Sequence, residues 1–438
     1  VTFYCQSMKN RKPIVILPDF PGSAEKALAW ASSYSTSLFL CYHGSAQEPG
    51  AGFDWLLAAG MEEYLVSAPG QAFDRLKEFV GRGDRFVFTA LSYDLKNEVE
   101  NLRSGHPDPV GFPALLVFEP EVLMICRKGE ITIESSGPDP DQIRRDIPDC
   151  VPSVPNHSVM DIMVWEACMS RQEYLDKVET IRELIREGTV YEANLCLEFH
   201  AHREDFDPLG EFLLMNPHFR APFTAWLKHR DRYLLCYSPE RFMCRRGDRI
   251  IVQPVKGTAP RSDNAEEDRA LARNLYHNEK DRAENVMIVD LMRNDLARSC
   301  RPGSIRVDEL FGIYSFTRVH QMISSVSGTL KPGLSPVEAV KNAFPMGSMT
   351  GAPKVSAMEV IEQLETRKRG LYSGSVGYFA PGGDFDLNVV IRSLQYNART
   401  GYLSVQAGGA ITWDSDPECE LQEAVLKSAL KTIRFPES

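Results

Sequence analysis

The chain has 438 residues, 43% of them hydrophobic and 25% charged, with a formal net charge of −11. That length supports a large core, in two domains or one intimate pair, and the acidic balance disfavours nonspecific nucleic-acid binding. Ten cysteines with no C-x-x-C pair argue against a disulfide frame or zinc site and for reduced, mostly buried thiols in a cytoplasmic protein. No apolar run approaches the ~18 residues that cross a membrane.

Residues 1 to about 150 read as sheet-forming material. Runs at 13–17, 37–40, 85–91, 114–118 and 122–126 predict strands, the last pairing with a neighbour across the turn at 127–130. Residues 23–30 predict a short helix with Ser23 as N-cap. Five prolines and several aspartates across 136–157 read as a connecting loop. Ser170 and Glu173 form a capping box, and Tyr174, Val178, Ile181, Leu184 and Ile185 recur at helical spacing until Gly188. A strand is predicted over 190–199, a hairpin over 223–237, and a strand over 249–252. Pro254, Gly257 and Pro260 then interrupt regular structure. Helices follow near 271–276, over 280–296 and 336–343, and from 354 to 364 after a tight loop. Runs at 374–379, 386–395 and 402–411 predict a three-strand meander. Asp416 caps a final helix that has Pro417 at its first position.

Lys256 stands where a strand breaks into a Gly257-Thr258 turn. Turn N–H groups approach anions, and a lysine there serves as nucleophile, Schiff-base former, anion clamp or plain surface cation. Glu420 and Glu423 share one face of the last helix, and Asp281 and Glu284 repeat the arrangement on the 280–296 helix. If the helices face each other, four carboxylates suit a hard cation such as Mg²⁺; otherwise they are solvated or favour the helix dipole. Gly347 to Lys354 lacks the G-K-[ST] ending of a phosphate loop, because Pro353 interrupts it. No nucleophile-elbow, zincin or dinucleotide motif is present.

Pro254-Val255-Lys256-Gly257-Thr258, the run from Asp281 to Asp295, Gly351-Ala352-Pro353-Lys354, the run from Leu371 to Tyr378 and Asp414-Ser415-Asp416-Pro417-Glu418 stand in an order that resembles the chorismate-utilising enzymes. The resemblance is strong over about 170–434 and weak before it. It implies an α+β fold of two antiparallel sheets packed face to face with helices outside. Residues 1–150 would form an N-terminal α/β subdomain contributing to the sandwich, and 151–438 a chorismate-binding catalytic domain.

The same resemblance implies site roles. Lys256 replaces an alanine common in the family, and points to the members that aminate C4 of chorismate through a covalent lysine adduct. Glu240 would be the proton donor to the leaving hydroxyl. Mg²⁺ would be held by Glu284 and Glu423, with Asp281 and Glu420 in its outer shell. Thr258, Ser348, Tyr372, Arg392, Gly408, Gly409 and Lys427 would surround the substrate. His320 is included with them, although the family's ring-side histidine aligns with Gln321. Ala410 stands where many members have a third glycine. Glu192 takes the place of the lysine that activates water in other members, so that base is missing. With no glutaminase nucleophile in the chain, ammonia would come from a separate glutamine amidotransferase subunit. The alternatives are an anthranilate-forming member and an inactive chorismate-binding regulatory subunit.

Overall fold

The computed structural model describes residues 14–43, 52–83 and 85–437. Pro13 of the first predicted strand and Cys5 lie outside them. Among the described residues two large sheets dominate, one of 13 strands and one of 10, and their strand pairs are antiparallel except for Ile433–Arg434 beside Trp165–Ala167. They pack face to face. Leu38, Leu40, Leu56 and Ala58 of the larger sheet share a core with Phe88, Ala90, Leu116 and Phe118 of the smaller. Side chains alternate along a strand, so Phe39 and Leu57 point to the opposite face. There they meet helices Ser23–Ala31, Arg171–Arg186 and Pro208–Phe219 through Leu28, Tyr174, Val178 and Phe212. The outer face of the smaller sheet carries Ala72–Val80, Glu279–Ser299 and Pro336–Ala343, through Phe73, Ile288, Met292 and Val340. This is the α+β sandwich with helices outside.

The first 150 residues supply strands to both sheets. Thr36–Cys41 pairs with Phe223–His229 in one, and Val87–Leu91 with Ser375–Phe379 in the other. The capping box of Ser170 and Glu173 is formed, and Asp416 accepts from the Cys419 amide at the start of Pro417–Ser428. The nine described cysteines are unpaired and six are buried. Among the described residues no helix is long and apolar enough to cross a membrane.

Several expectations are corrected. Ser23 is the first residue of its helix rather than the cap; Gly22 occupies that place, and the Ser23 hydroxyl donates to Asp19. The 136–157 segment is not all loop, because Pro140–Asp146 is helical, with Pro140 at its first position and Ile143 buried. Structure does not stop at Pro254. Val255–Pro260 is an edge strand on Val319–Thr329, with a register shift between Val255 and Thr258. The run 386–395 is two strands in different sheets, Phe385–Asn388 and Ser393–Asn397, so no single meander forms. The chain crosses between sheets at Arg392, whose φ is +51°. The long hairpin of Arg306–Ser315 and Val319–Thr329 was not anticipated.

Candidate active site

The register shift after Val255 bulges Lys256 and Gly257 toward helix Glu279–Ser299. Gly257 has φ +88°, and a Cβ there would lie 2.9 Å from Asp281 Cγ. Only glycine tolerates that backbone and that approach. The bulge aims Lys256 Nζ at two carboxylates, Glu192 Oε1 at 3.3 Å and Glu284 Oε2 at 3.7 Å. Glu192 opens the buried strand Glu192–His202 and is itself buried. Of the opposing pulls on Lys256, burial acts downward, but Glu192, Glu284 and Glu240 outweigh it and hold the ammonium above its ordinary range. Burial therefore does not by itself leave a neutral amine.

Glu240 follows the sharp Ser238-Pro239 step. Its amide donates to the Ser238 hydroxyl at 3.1 Å, and its carbonyl accepts from Val389 N–H. Burial pushes its carboxyl up to about 7, against smaller downward pulls from Ser348 and Lys256. The buried Ser348 hydroxyl lies beside it yet makes no well-formed hydrogen bond among the described residues. It is a polar group held ready for another partner.

The acids divide between two helices, as their spacing predicts. Asp281 and Glu284 lie on Glu279–Ser299; Glu420 and Glu423 lie on Pro417–Ser428. Burial raises Asp281, and Glu423 adds to that rise while Lys280 opposes it, so the two helices sense each other's charge. Glu420 is raised by burial and by Glu423, against a hydrogen bond from Ser415 Oγ at 2.7 Å. Glu423 is ion-paired with Lys427, which holds its carboxyl below the usual range against burial. Gly409 lies beneath this pair: a Cβ there would stand 3.1 Å from Glu420 Oε2 and 3.5 Å from Glu423 Oε1. Among the described residues no three Asp, Glu, His or Cys side chains converge as a finished cage. Glu284 is turned toward Lys256 and Lys280, and Glu423 toward Lys427, instead. Mg²⁺ needs only one or two protein carboxylates, with water and substrate oxygens for the rest. An all-oxygen, mutually repelling set over a glycine floor fits that requirement.

Thr258, Gln321, Arg392, Gln406 and Lys427 line a cavity of about 320 Å³. Pro239, beside Glu240, is also in its wall; Lys256, Ser348, Tyr372 and the four acids are not. Arg392 donates to the Lys427 carbonyl at 2.8 Å, and Lys427 Nζ to the Gly408 carbonyl at 3.0 Å. Tyr372 is buried, its hydroxyl facing Cys196 Sγ at 3.8 Å. Gly408 serves the sheet: a Cβ there would fall 2.0 Å from the Leu195 carbonyl. A larger cavity of about 580 Å³, between Glu25, Tyr42, Trp55 and Phe212, contains none of the predicted residues.

His320 is a correction. Its Nδ1 meets Ser315 Oγ at 2.8 Å and its Nε2 meets Asp268 Oδ1 at 2.9 Å, so both ring nitrogens are occupied away from the cavity. The next residue along a strand faces the other way, and Gln321 is the one in the cavity wall, its Oε1 buried without a partner among the described residues. Sequence reasoning also missed Glu192 as the partner of Lys256, having read it only as a lysine lost. The alternation Glu192, Asn194, Cys196 along one face was the available signal.

With two sheets packed face to face and a buried lysine among carboxylates, the chain belongs to the chorismate binding enzyme family, which matches residues 48–431. Over 268 residues it is 45% identical to the probable chloroplastic aminodeoxychorismate synthase of Oryza sativa subsp. japonica, covering 60% of this chain and 30% of that one. It is 34% identical over 384 residues to anthranilate synthase component 1 of Thermus thermophilus, covering 85% and 82%. The fold matches the crystal structure of anthranilate synthase component I from Streptococcus pneumoniae TIGR4 with a TM-score of 0.71 at 24% identity, over 97% of this chain and 92% of that one.

Proposed function

We propose that this chain is the chorismate-aminating component of an aminodeoxychorismate synthase, converting chorismate and ammonia to 4-amino-4-deoxychorismate and water. The observation that carries this reading is Lys256, bulged from an edge strand into a nest of Glu192 and Glu284. The 45% identity to a probable aminodeoxychorismate synthase supports it.

Lys256 passes its extra proton to a neighbouring carboxylate and attacks C2 of the ring. Glu240, a carboxylic acid near neutral pH, protonates the C4 hydroxyl as it leaves as water, and the ring double bonds shift. Ammonia then adds at C4, the double bonds shift back, and the lysine amine is expelled. Glu240, now a carboxylate, takes the surplus proton of the new amine. The pyruvyl ether is retained throughout. Arg392, with Tyr372 nearby, would hold the enolpyruvyl carboxylate, and Thr258 and Ser348 the ring. Glu284 and Glu423 would hold Mg²⁺, with Asp281 and Glu420 behind them. When bound, it supplies positive charge to the ring carboxylate as the hydroxyl departs. We place the reaction in the cytoplasm, on the route to p-aminobenzoate and folate, with ammonia delivered by a separate glutamine amidotransferase subunit.

The rival reading, anthranilate synthase component I, is favoured by the long match to the Thermus thermophilus protein. Incubation with chorismate, Mg²⁺ and ammonium separates the two. Formation of 4-amino-4-deoxychorismate without pyruvate release is expected; fluorescent anthranilate with pyruvate would overturn the proposal. Turnover of neither kind, with ammonium or with an added glutaminase subunit, would favour an inactive regulatory subunit.

A further inference from the structure

We propose that Lys354 and Arg369 are positioning residues, two buried cations that clamp the 343–350 loop by its carbonyls and hold the Ser348 hydroxyl against Glu240. This rests on the functional reading above, in which Glu240 is the proton donor.

Neither cation has capacity left for substrate. Lys354 Nζ donates to Asp295 Oδ2 at 2.7 Å and to the Ala343 and Pro345 carbonyls at 3.0 Å each. Those are all the donors an ammonium has. Arg369 Nε and Nη2 donate to Glu365, at 2.9 and 2.6 Å to its nearer oxygens. Nη1 donates to the Met349 carbonyl at 2.6 Å and to Ser373 Oγ at 3.2 Å, and Nη2 also to the Asn194 carbonyl at 2.8 Å. The guanidinium lies over the Tyr93 ring, 4.5 Å from its centre. Each cation has its own carboxylate, so each pair is near electrical neutrality and acts through geometry rather than field.

The grips bracket Ser348. Ala343 and Pro345 are held on its N-terminal side and Met349 on the other, while Asn194 Nδ2 donates to the Ser348 carbonyl at 3.2 Å. The loop cannot settle closer to the helix that carries Asp281 and Glu284. A Cβ at Gly347 would lie 2.5 Å from Leu291 Cδ2 and 2.6 Å from Met292 Cε. With its backbone fixed on both sides, the loop leaves the Ser348 hydroxyl without a partner, beside the buried Glu240 carboxyl. A polar group fixed in place beforehand meets the acid or the substrate with no further reorganisation.

The test uses paired variants, so that no charge is left buried alone: Asp295→Asn with Lys354→Gln, and Glu365→Gln with Arg369→Gln. For each folded pair, kcat for ammonia-dependent amination is expected to fall about tenfold or more, with KM for chorismate within about threefold. In a Ser348→Ala background the same pairs should add less than about twofold, because the clamp acts through that hydroxyl. Amide hydrogen exchange over 346–350 should accelerate at least about tenfold while helix Lys354–Leu364 keeps its protection. Unchanged exchange, or kinetic losses that multiply in full with Ser348→Ala, would overturn the clamp. If the wild-type chain forms no aminated product, the functional reading falls, and the exchange measurement alone decides the clamp.

Discussion

Glu240 shows how burial sets a residue's chemistry and its energetic consequence together. Its carboxyl is pushed from 4.5 up to about 7, so the folded chain binds that proton more tightly than the unfolded chain does. Stability therefore falls as pH rises through that window, and the penalty is complete above about pH 7. Glu240→Gln removes the ionisable group. At about pH 8 the variant should gain up to about 3 kcal/mol in urea unfolding, with no gain near pH 4, and it should lose amination. A variant less stable than wild type at the higher pH would count against a buried, neutral acid. Lys256 invites a second residue-scale test. Glu192 is its nearer carboxylate and helps to hold it protonated. Glu192→Gln should move the pH dependence of lysine-adduct formation, followed by mass spectrometry without ammonia, to lower pH. Lys256→Ala should form no adduct and still bind chorismate. An adduct profile indifferent to Glu192 would remove it from the nucleophile's environment.

Two glycines on strand Tyr402–Ile411 separate folding from ligand binding at the scale of the element. A methyl at Gly408 would strike the Leu195 backbone carbonyl, whereas one at Gly409 would press on the movable ends of Glu420 and Glu423. Gly408→Ala should therefore fold poorly, losing several degrees of melting temperature. Gly409→Ala should fold almost normally but need about tenfold more Mg²⁺ for half-maximal activity. Equal melting losses in the two would sink the distinction. The pair also shows what was legible beforehand. Helices with strong local signals, such as the Ser170–Glu173 capping box and the Asp416-Pro417 start, lie where their side chains predict. The carboxylate pairs on two helices were legible for the same reason, since helical spacing is local. What failed depends on partners distant in sequence. The run 386–395 contains no glycine or proline to mark a break, and only the turn at Arg392 assigns its halves to different sheets. The hairpin from Arg306 was hidden because five residues at the start of its first strand are exposed, so no alternation marks it. His320 and Gln321 were confused because neighbours on a strand differ only in the face they present, which the hydrogen bonds of His320 decide.

Across the whole molecule, charge is distributed against the average. The chain carries −11 overall, yet the wall of the cavity beside Thr258 and Gln321 holds Arg220, Arg318, Arg392 and Lys427 and, among the described residues, no Asp or Glu. A dianion such as chorismate approaching this surface is repelled at large distance and attracted near the opening. The low-dielectric wall, with Phe219, Tyr237 and Leu394, strengthens that local field. Arg220 and Arg318 are exposed, so their contribution is screened by salt over a Debye length of about 10 Å at 0.1 M. Raising KCl from about 0.02 to 0.3 M at constant ammonium should lower kcat/KM for chorismate several-fold and leave kcat nearly unchanged. Arg318→Gln should lower kcat/KM at low salt and flatten its salt dependence, because the lost charge acts during capture and not during the chemical step. A variant that lowers kcat in proportion, or keeps the wild-type salt slope, would place Arg318 in the reaction itself or outside the capture path.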